Sequence, residues 1–158
     1  MEKDISTGEY QALAEFRYQI RRFLHFSEQA ARAAGIEPQQ HQLLLALKGL
    51  PEGRQATIGD LAERVQLQHH STVELVNRLV ERGFVQRCRD EEDLRRVFVS
   101  ITSKGEEILR ELSFEHRAEL LTSGPALAKA LNALLTSYNG EAHSEVMGGI
   151  THEAEDEA

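Results

Sequence analysis

The sequence predicts a mainly α-helical protein with a small β wing, in which a winged helix-turn-helix domain sits between N- and C-terminal helices that form a dimerisation region. Three observations carry this reading. Thr57 to Gly83 has the pattern of two short helices around a tight turn. Two β-prone runs, Phe84 to Arg89 and Arg96 to Ile101, then flank the polar segment Asp90 to Arg95, which describes a hairpin. Both ends of the chain supply amphipathic helices that exceed the needs of a small core, and a symmetric dimer would bury their apolar faces.

The first helix is expected from about Glu9 to Ala34, stopped by Gly35. Leu13, Phe16, Ile20, Phe23, Phe26 or Ser27, and Ala30 recur at helical spacing, with Arg17, Arg21, Arg22, Glu28 and Arg32 on the opposite face. Pro38 suits a first helical turn and opens a second helix carrying Leu43, Leu44, Leu45 and Leu47. Gly49 to Gln55, with Pro51 and Gly53, reads as a loop.

Thr57 with Asp60 starts the next helix, whose inward face is Ile58, Leu61, Ala62 and Val65. A turn through Gln66 and Leu67 leads to a helix from about His69 to Arg82, with Thr72, Leu75, Val76 and Leu79 facing inward and Gly83 as its stop. Val97, Val99 and Ile101 alternate as one face of a strand. Ser103-Lys104-Gly105-Glu106 forms a capping box, with Thr102 as a rival cap, and opens a helix bearing Ile108, Leu109, Leu112 and Leu120. Gly124-Pro125 is expected to break that helix, after which Leu127, Leu131, Leu134 and Leu135 drive a last one to about Tyr138. The expected organisation is a helical dimerisation region at 8–35 and 103–139, a winged helix-turn-helix at 36–102, and an acidic, disordered tail at 140–158.

The bulk numbers narrow the class. At 158 residues the chain suits one domain with a real core, or one domain with an oligomerising extension. No apolar run approaches the ~20 residues of a membrane span, and the N-terminus has no basic segment followed by an apolar one. Cys88 is the only cysteine, which excludes an internal disulfide framework and fits a reducing prokaryotic cytosol. No Gly-x-Ser-x-Gly, phosphate loop or His-Glu-x-x-His pattern occurs, so the sequence argues against an enzyme.

A net charge of -8 is unusual for a chain that must meet phosphate. From Arg54 to Lys104, however, nine Lys/Arg face eight Asp/Glu, a local +1, and the remainder carries nine basic and eighteen acidic residues, a local -9. Much of the excess acid lies in Glu141 to Glu157, outside the candidate reading head.

Two motifs make the chain similar to a known family. These are Ser71-Thr72-Val73 running through Leu79-Val80-Glu81-Arg82-Gly83-Phe84-Val85-Gln86-Arg87, and Asp93-x-Arg95 followed by Ile101-Thr102-x-x-Gly105. Over about Ala12 to Leu135 the chain resembles the MarR-type winged-helix regulators, named for multiple antibiotic resistance. The resemblance implies an obligate homodimer with two winged-helix lobes on a pseudo-palindromic double-stranded operator. It further implies a repressor released by a small, often aromatic or phenolic effector, or by oxidation.

Candidate contacts with DNA are Gln68, His69, His70, Ser71, Thr72, Asn77 and Arg78, at the start or on the outer face of the second helix. A helix in the major groove reads bases mainly with its N-terminal residues, and Gln, Asn and Arg have the bidentate geometry for purine edges. The competing reading is a solvated polar face. Glu74 on the same helix would repel phosphate unless it accepts from cytosine N4. Arg95 is, by resemblance, the wing-tip residue that enters the minor groove, and Asp93 would order the hairpin through an ion pair with Arg87, Arg89 or Arg95. Asp90, Glu91 and Glu92 are awkward beside a duplex, and they support the alternative of a winged-helix scaffold for protein partners.

By resemblance an effector cleft lies between the dimer helices and each reading head. Arg21, Arg22, Phe23, Phe26 and His41 are its candidate liners, set against a reading in which the phenylalanines are core and the arginines solvated. Cys88 reads as a small buried hydrophobe rather than a redox switch, since peroxide-sensing relatives carry their cysteine near the N-terminal helices. His25, His41 and His116 lack ligand spacing on one helix, so no metal and no cofactor is expected.

Overall fold

The computed structural model describes residues 4–148, with side chains described as far as residue 139. Five helices and three strands follow in the order α1 (Thr7–Ala33), α2 (Pro38–Lys48), β1 (Ala56–Thr57), α3 (Ile58–Val65), α4 (His69–Glu81), β2 (Val85–Arg89), β3 (Val97–Ile101) and α5 (Ser103–Gly148). The described residues form two compact units, one from residues 4–25 with 119–148 and one from Phe26–Ala118.

The apolar core belongs to the second unit. Ile36, Leu43 and Leu44 meet Leu61 of α3, then Leu75, Val76 and Leu79 of α4, and Val85 and Val99 of the sheet. The last turns of α1 add Ala30 and Ala31, and the first turns of α5 add Leu109 and Leu112. The core thus takes in residues at both ends of the segment 36–102, because those turns pack on it rather than standing free.

The sheet is antiparallel in the order β1-β3-β2. Val85 pairs with Ile101 and Arg89 with Val97 across the hairpin, while Ala56 pairs with Val99 on the other edge of β3. The two-residue β1 falls where the sequence predicts the end of a loop and the start of a helix. A strand this short has no periodicity to read, and it exists only because β3 presents a free edge.

Local chemistry explains where the helices begin. Ser6 and Glu9 cap α1 reciprocally, Ser6 N donating to Glu9 Oε2 at 2.8 Å and Glu9 N to Ser6 Oγ at 3.3 Å. At α3 the Thr57 hydroxyl accepts from Asp60 N at 3.2 Å and Thr57 N donates to Asp60 Oδ2 at 2.9 Å. The Thr57 hydroxyl also donates to Asp60 Oδ2 at 3.0 Å, and the two bonds reaching the carboxyl, from Thr57's amide first and its hydroxyl second, hold it below the usual carboxylate range. At α5 the cap is Thr102 and not Ser103, with Gly105 N donating to Thr102 Oγ1 at 3.2 Å. Thr102 is selected because its own N–H and hydroxyl donate to Phe84 O and Gly83 O.

The expected break at Gly124-Pro125 does not occur. α5 continues through Pro125 to Gly148, so the chain has no separate last helix ending at Tyr138, and the segment expected to be a disordered tail is helical as far as Gly148. The remainder of that tail, 149–158, lies outside the described residues. A proline removes one backbone donor and crowds the carbonyl four residues earlier, and here the residue bearing that carbonyl, Leu121, is 74% exposed. That leaves room for water to satisfy it.

Candidate nucleic-acid interface

The helix-turn-helix is α3 and α4, joined at Gln66, which adopts a left-handed conformation (φ 55°). Its side chain reinforces the turn, Nε2 donating to Glu63 O at 2.7 Å. Leu67 N reaches back to Ala62 O at 3.0 Å, closing the turn before α4 starts.

At the N-terminal turn of α4, Gln68, His69 and His70 are exposed and Ser71 is half-buried. Thr72 is fully buried, and its hydroxyl donates to Gln68 O at 3.0 Å. It belongs to the core and not to the reading surface, which corrects its assignment as a contact. The reason is helical phase, since Thr72 shares its face with Leu75, Val76 and Leu79.

Further along α4 the two candidates diverge. Asn77 is exposed and its Oδ1 accepts from Arg87 Nη2 of β2, which ties the outer face of α4 to the wing. Arg78 instead lines an open cleft of about 510 Å³ on the α2 side, together with Glu28, Arg32 and Glu37.

The wing is ordered mainly by carboxylates taking backbone amides. Asp93 Oδ1 accepts from Arg95 N at 3.0 Å, and Asp93 O accepts from Arg96 N at 2.9 Å. Asp90 Oδ1 accepts from Glu92 N at 2.9 Å, Asp90 N donates to Arg96 O at 3.0 Å, and its carboxylate lies 4.0 Å from Arg96. The expected ion pair of Asp93 with Arg87, Arg89 or Arg95 is therefore replaced by an amide-bound carboxylate, because exposed ion pairs gain little while a turn amide is already in place. Arg87 serves Asn77, and Arg89 is exposed on β2. This leaves the Arg95 side chain exposed at the hairpin tip beside Leu94, which is 69% exposed.

Several positions here were missed in the sequence. Arg82 donates to Gly35 O at 2.7 Å and to Gln40 Oε1 at 3.2 Å, joining α4 to the start of α2. Lys104 Nζ donates to Arg82 O at 2.8 Å and lies 4.9 Å from the centre of the Phe84 ring. Lys48 pairs with Glu106 at 2.6 Å. Nothing local marks these residues, whose partners stand far away in the chain.

The candidate effector liners divide between the two units. In the first unit Arg21 and Arg22 are exposed, Arg22 lies 5.8 Å from the Tyr18 ring centre, and Phe23 is half-buried. In the second, Phe26 and His41 both pack against His116, with ring centres 5.5 and 4.8 Å apart. Cys88 is half-buried rather than buried, its Sγ 3.7 Å from Ser100 Oγ, because β2 pairs on one edge only. Among the described residues no group of three or more His, Cys, Asp or Glu is placed to hold a metal ion, and no helix is long and apolar enough to cross a membrane.

Comparison with known proteins agrees with this architecture. Residues 34–96 match the model of the MarR family. No match is found among curated proteins. Among solved structures, AbsC, a MarR family transcriptional regulator from Streptomyces coelicolor, is 21% identical, with 92% of this chain and 99% of that one covered and a TM-score of 0.70. A Staphylococcus aureus MepR variant bound to an oligodeoxyribonucleotide is 18% identical over 90% of this chain and 99% of its own, with a TM-score of 0.60. BpsR of Bordetella bronchiseptica, whose DNA binding is regulated by 6-hydroxynicotinic acid, is 19% identical over 82% and 98%, with a TM-score of 0.58. At these identities the structural likenesses speak for the fold, and the family match speaks for its central segment. Residues 34–96 thus match the MarR family, and the chain carries the fold of solved MarR family regulators.

Proposed function

We propose that this chain is a sequence-specific, dimeric DNA-binding transcriptional regulator, a repressor released by a small aromatic or phenolic effector. The observation that carries the reading is the exposed N-terminal turn of α4, where Gln68, His69 and His70 stand free of the core, followed by a wing that leaves Arg95 exposed. In this reading Gln68, His69, His70 and Ser71 meet base edges or phosphates in the major groove. Asn77 acts through its tie to Arg87, Arg78 approaches the backbone, and Arg95 enters the minor groove. An MepR variant has been seen on an oligodeoxyribonucleotide, which supports this use of the fold.

Repression and release follow from differential affinity. An effector that favours one spacing of the two recognition helices disfavours the spacing that matches successive major grooves. The regulation of BpsR by 6-hydroxynicotinic acid supports an aromatic acid as the effector class.

A second reading, a winged-helix scaffold for protein partners, is favoured by one observation. The wing tip places exposed Glu91, Glu92 and Leu94 beside Arg95, a mixed acidic and apolar surface. Selection of bound sequences from a random duplex library separates the two. A palindrome with half-sites roughly one helical turn apart, bound with a steep salt dependence, is the expected result. Arg95→Ala should then cost about tenfold in affinity and reduce the salt slope by about one. No enriched sequence, with weak salt-sensitive binding only, would favour the scaffold.

A further inference from the structure

A pair of histidines lies in the second unit, away from the candidate reading surface. His41 of α2 is 3% exposed, and its Nδ1 is buried with no hydrogen-bond partner. The ring of His116, from α5, stands 4.8 Å away between centroids at 48°. His116 Nδ1 is 2.7 Å from Leu112 O, and its Nε2 is 2.7 Å from Ser27 Oγ of α1. A carbonyl only accepts, so Nδ1 carries the hydrogen and Nε2 is the basic nitrogen, taking the Ser27 hydroxyl when the ring is neutral. Phe26 closes the cluster with an edge contact to His116 at 5.5 Å.

We propose that the His41–His116 pair is an acid-sensitive latch, which holds α1, α2 and α5 together when both rings are neutral and loosens α2 as protons enter it. Each nitrogen of His116 already faces an oxygen, but His41 has no such provision. Its Nδ1 would become an N–H without an acceptor, and a second cation would stand one ring away from the first. Burial, with His116 as the second cause, holds His41 down at about 4 against an ordinary 6.5.

The neighbouring charges do not relieve this. On α1, Glu28 is exposed and pairs with Arg32 at 3.6 Å, and on α2 the Glu37 side chain caps its own helix. On α4, Arg82 is spent on Gln40 and Gly35. On α3, Asp60 is taken by Thr57, and Glu63 and Arg64 are exposed, as is Glu115 on α5. β3 carries no charge. The one charge that shifts His41 is that of His116.

Between pH 6.5 and about 4 the loosened state therefore binds a proton that the packed state refuses. Stability is full above that window and is lost as pH falls through it. Because α2 packs on α3 and α4, loosening it removes support from the helix-turn-helix. Folding and ring titration, which need no DNA, thus test the latch independently of the regulator reading.

The test uses the full chain. Unfolding equilibria of the wild type and His41→Gln are compared at about pH 7 and about pH 5.5, together with NMR titration of the His41 ring in the wild type. The expected result is an unfolding constant that rises about tenfold more in the wild type than in the variant, with His41 still neutral at the lower pH. In His116→Gln, where the facing charge is gone, His41 should titrate at a higher pH than in the wild type. An ordinary titration of His41 in the folded wild type would overturn the proposal, and so would equal pH dependence in wild type and His41→Gln. Should His41→Gln fail to fold, the wild-type ring titration decides alone.

Discussion

Gly105 shows how little room the junction between wing and helix leaves. A Cβ at this position would lie 2.2 Å from Phe84 O and 2.8 Å from Ile101 Cγ1, and the first of these is backbone that cannot rotate away. The surrounding bonds fix both sides, since Thr102 N donates to Phe84 O at 3.0 Å and Thr102 Oγ1 to Gly83 O at 2.6 Å. Gly105→Ala gains about 1 kcal/mol of helix propensity but forces the first turn of α5 off the sheet, at the upper end of the roughly 1–3 kcal/mol typical of overpacking. The clash wins. Thermal unfolding should show the variant melting several degrees lower, and an unchanged midpoint would mean that α5 shifts freely on the wing. This glycine was legible in the sequence as the end of the Ile101-Thr102-x-x-Gly105 motif. Thr72 was not legible in the same way. A hydroxyl at the start of a recognition helix looks like a contact until helical phase puts it beside Leu75 and Val76.

At the scale of elements, the readable features were those set by neighbours in the chain. The helix-turn-helix and the hairpin came from hydrophobic period, Thr57 with Asp60, and the stop at Gly83. What failed depends on residues far away in sequence. β1 is held by Val99 and Phe98 of β3, and the choice of Thr102 over Ser103 as cap is made by Phe84 and Gly83. Asp93 takes the Arg95 amide and Arg87 reaches Asn77 of α4, in place of the expected ion pair, since several arginines compete for one carboxylate and a backbone amide wins. Pro125 is the sharpest case. A local rule that a Gly-Pro pair ends a helix is overridden in a 46-residue helix whose apolar positions continue on both sides. Its residual cost should still be measurable. Pro125→Ala restores one backbone donor and relieves the crowded carbonyl of Leu121, worth up to about 3 kcal/mol in a helix interior. Helical circular dichroism and the unfolding midpoint should both rise. A fall in either would mean that the proline is required for the path of α5.

For the molecule as a whole, the distribution of apolar surface points to self-association. The core lies in the second unit, while Tyr10, Leu13, Leu24, Leu121, Leu131 and Leu135 in the first are each at least 38% exposed, and Leu121 reaches 74%. Scattered exposed leucines are ordinary. Six large apolar side chains on the helical ends of one chain are a candidate interface, each contributing about 1.5–3 kcal/mol if fully covered. A two-fold dimer covers such a face with its own copy and, on the proposed function, sets the spacing of two recognition helices. Leu121→Glu combined with Leu135→Glu replaces two exposed side chains with charges, so the monomer should fold as before while the dimer should not form. Sedimentation should show a dimer for the wild type and a monomer for the variant, with matching helical spectra. Binding to a full palindrome should then fall to the level of a single half-site. If the variant remains dimeric, the interface lies elsewhere on the chain. If the wild type is a monomer at micromolar concentration, the dimer is lost altogether, and the palindrome with it.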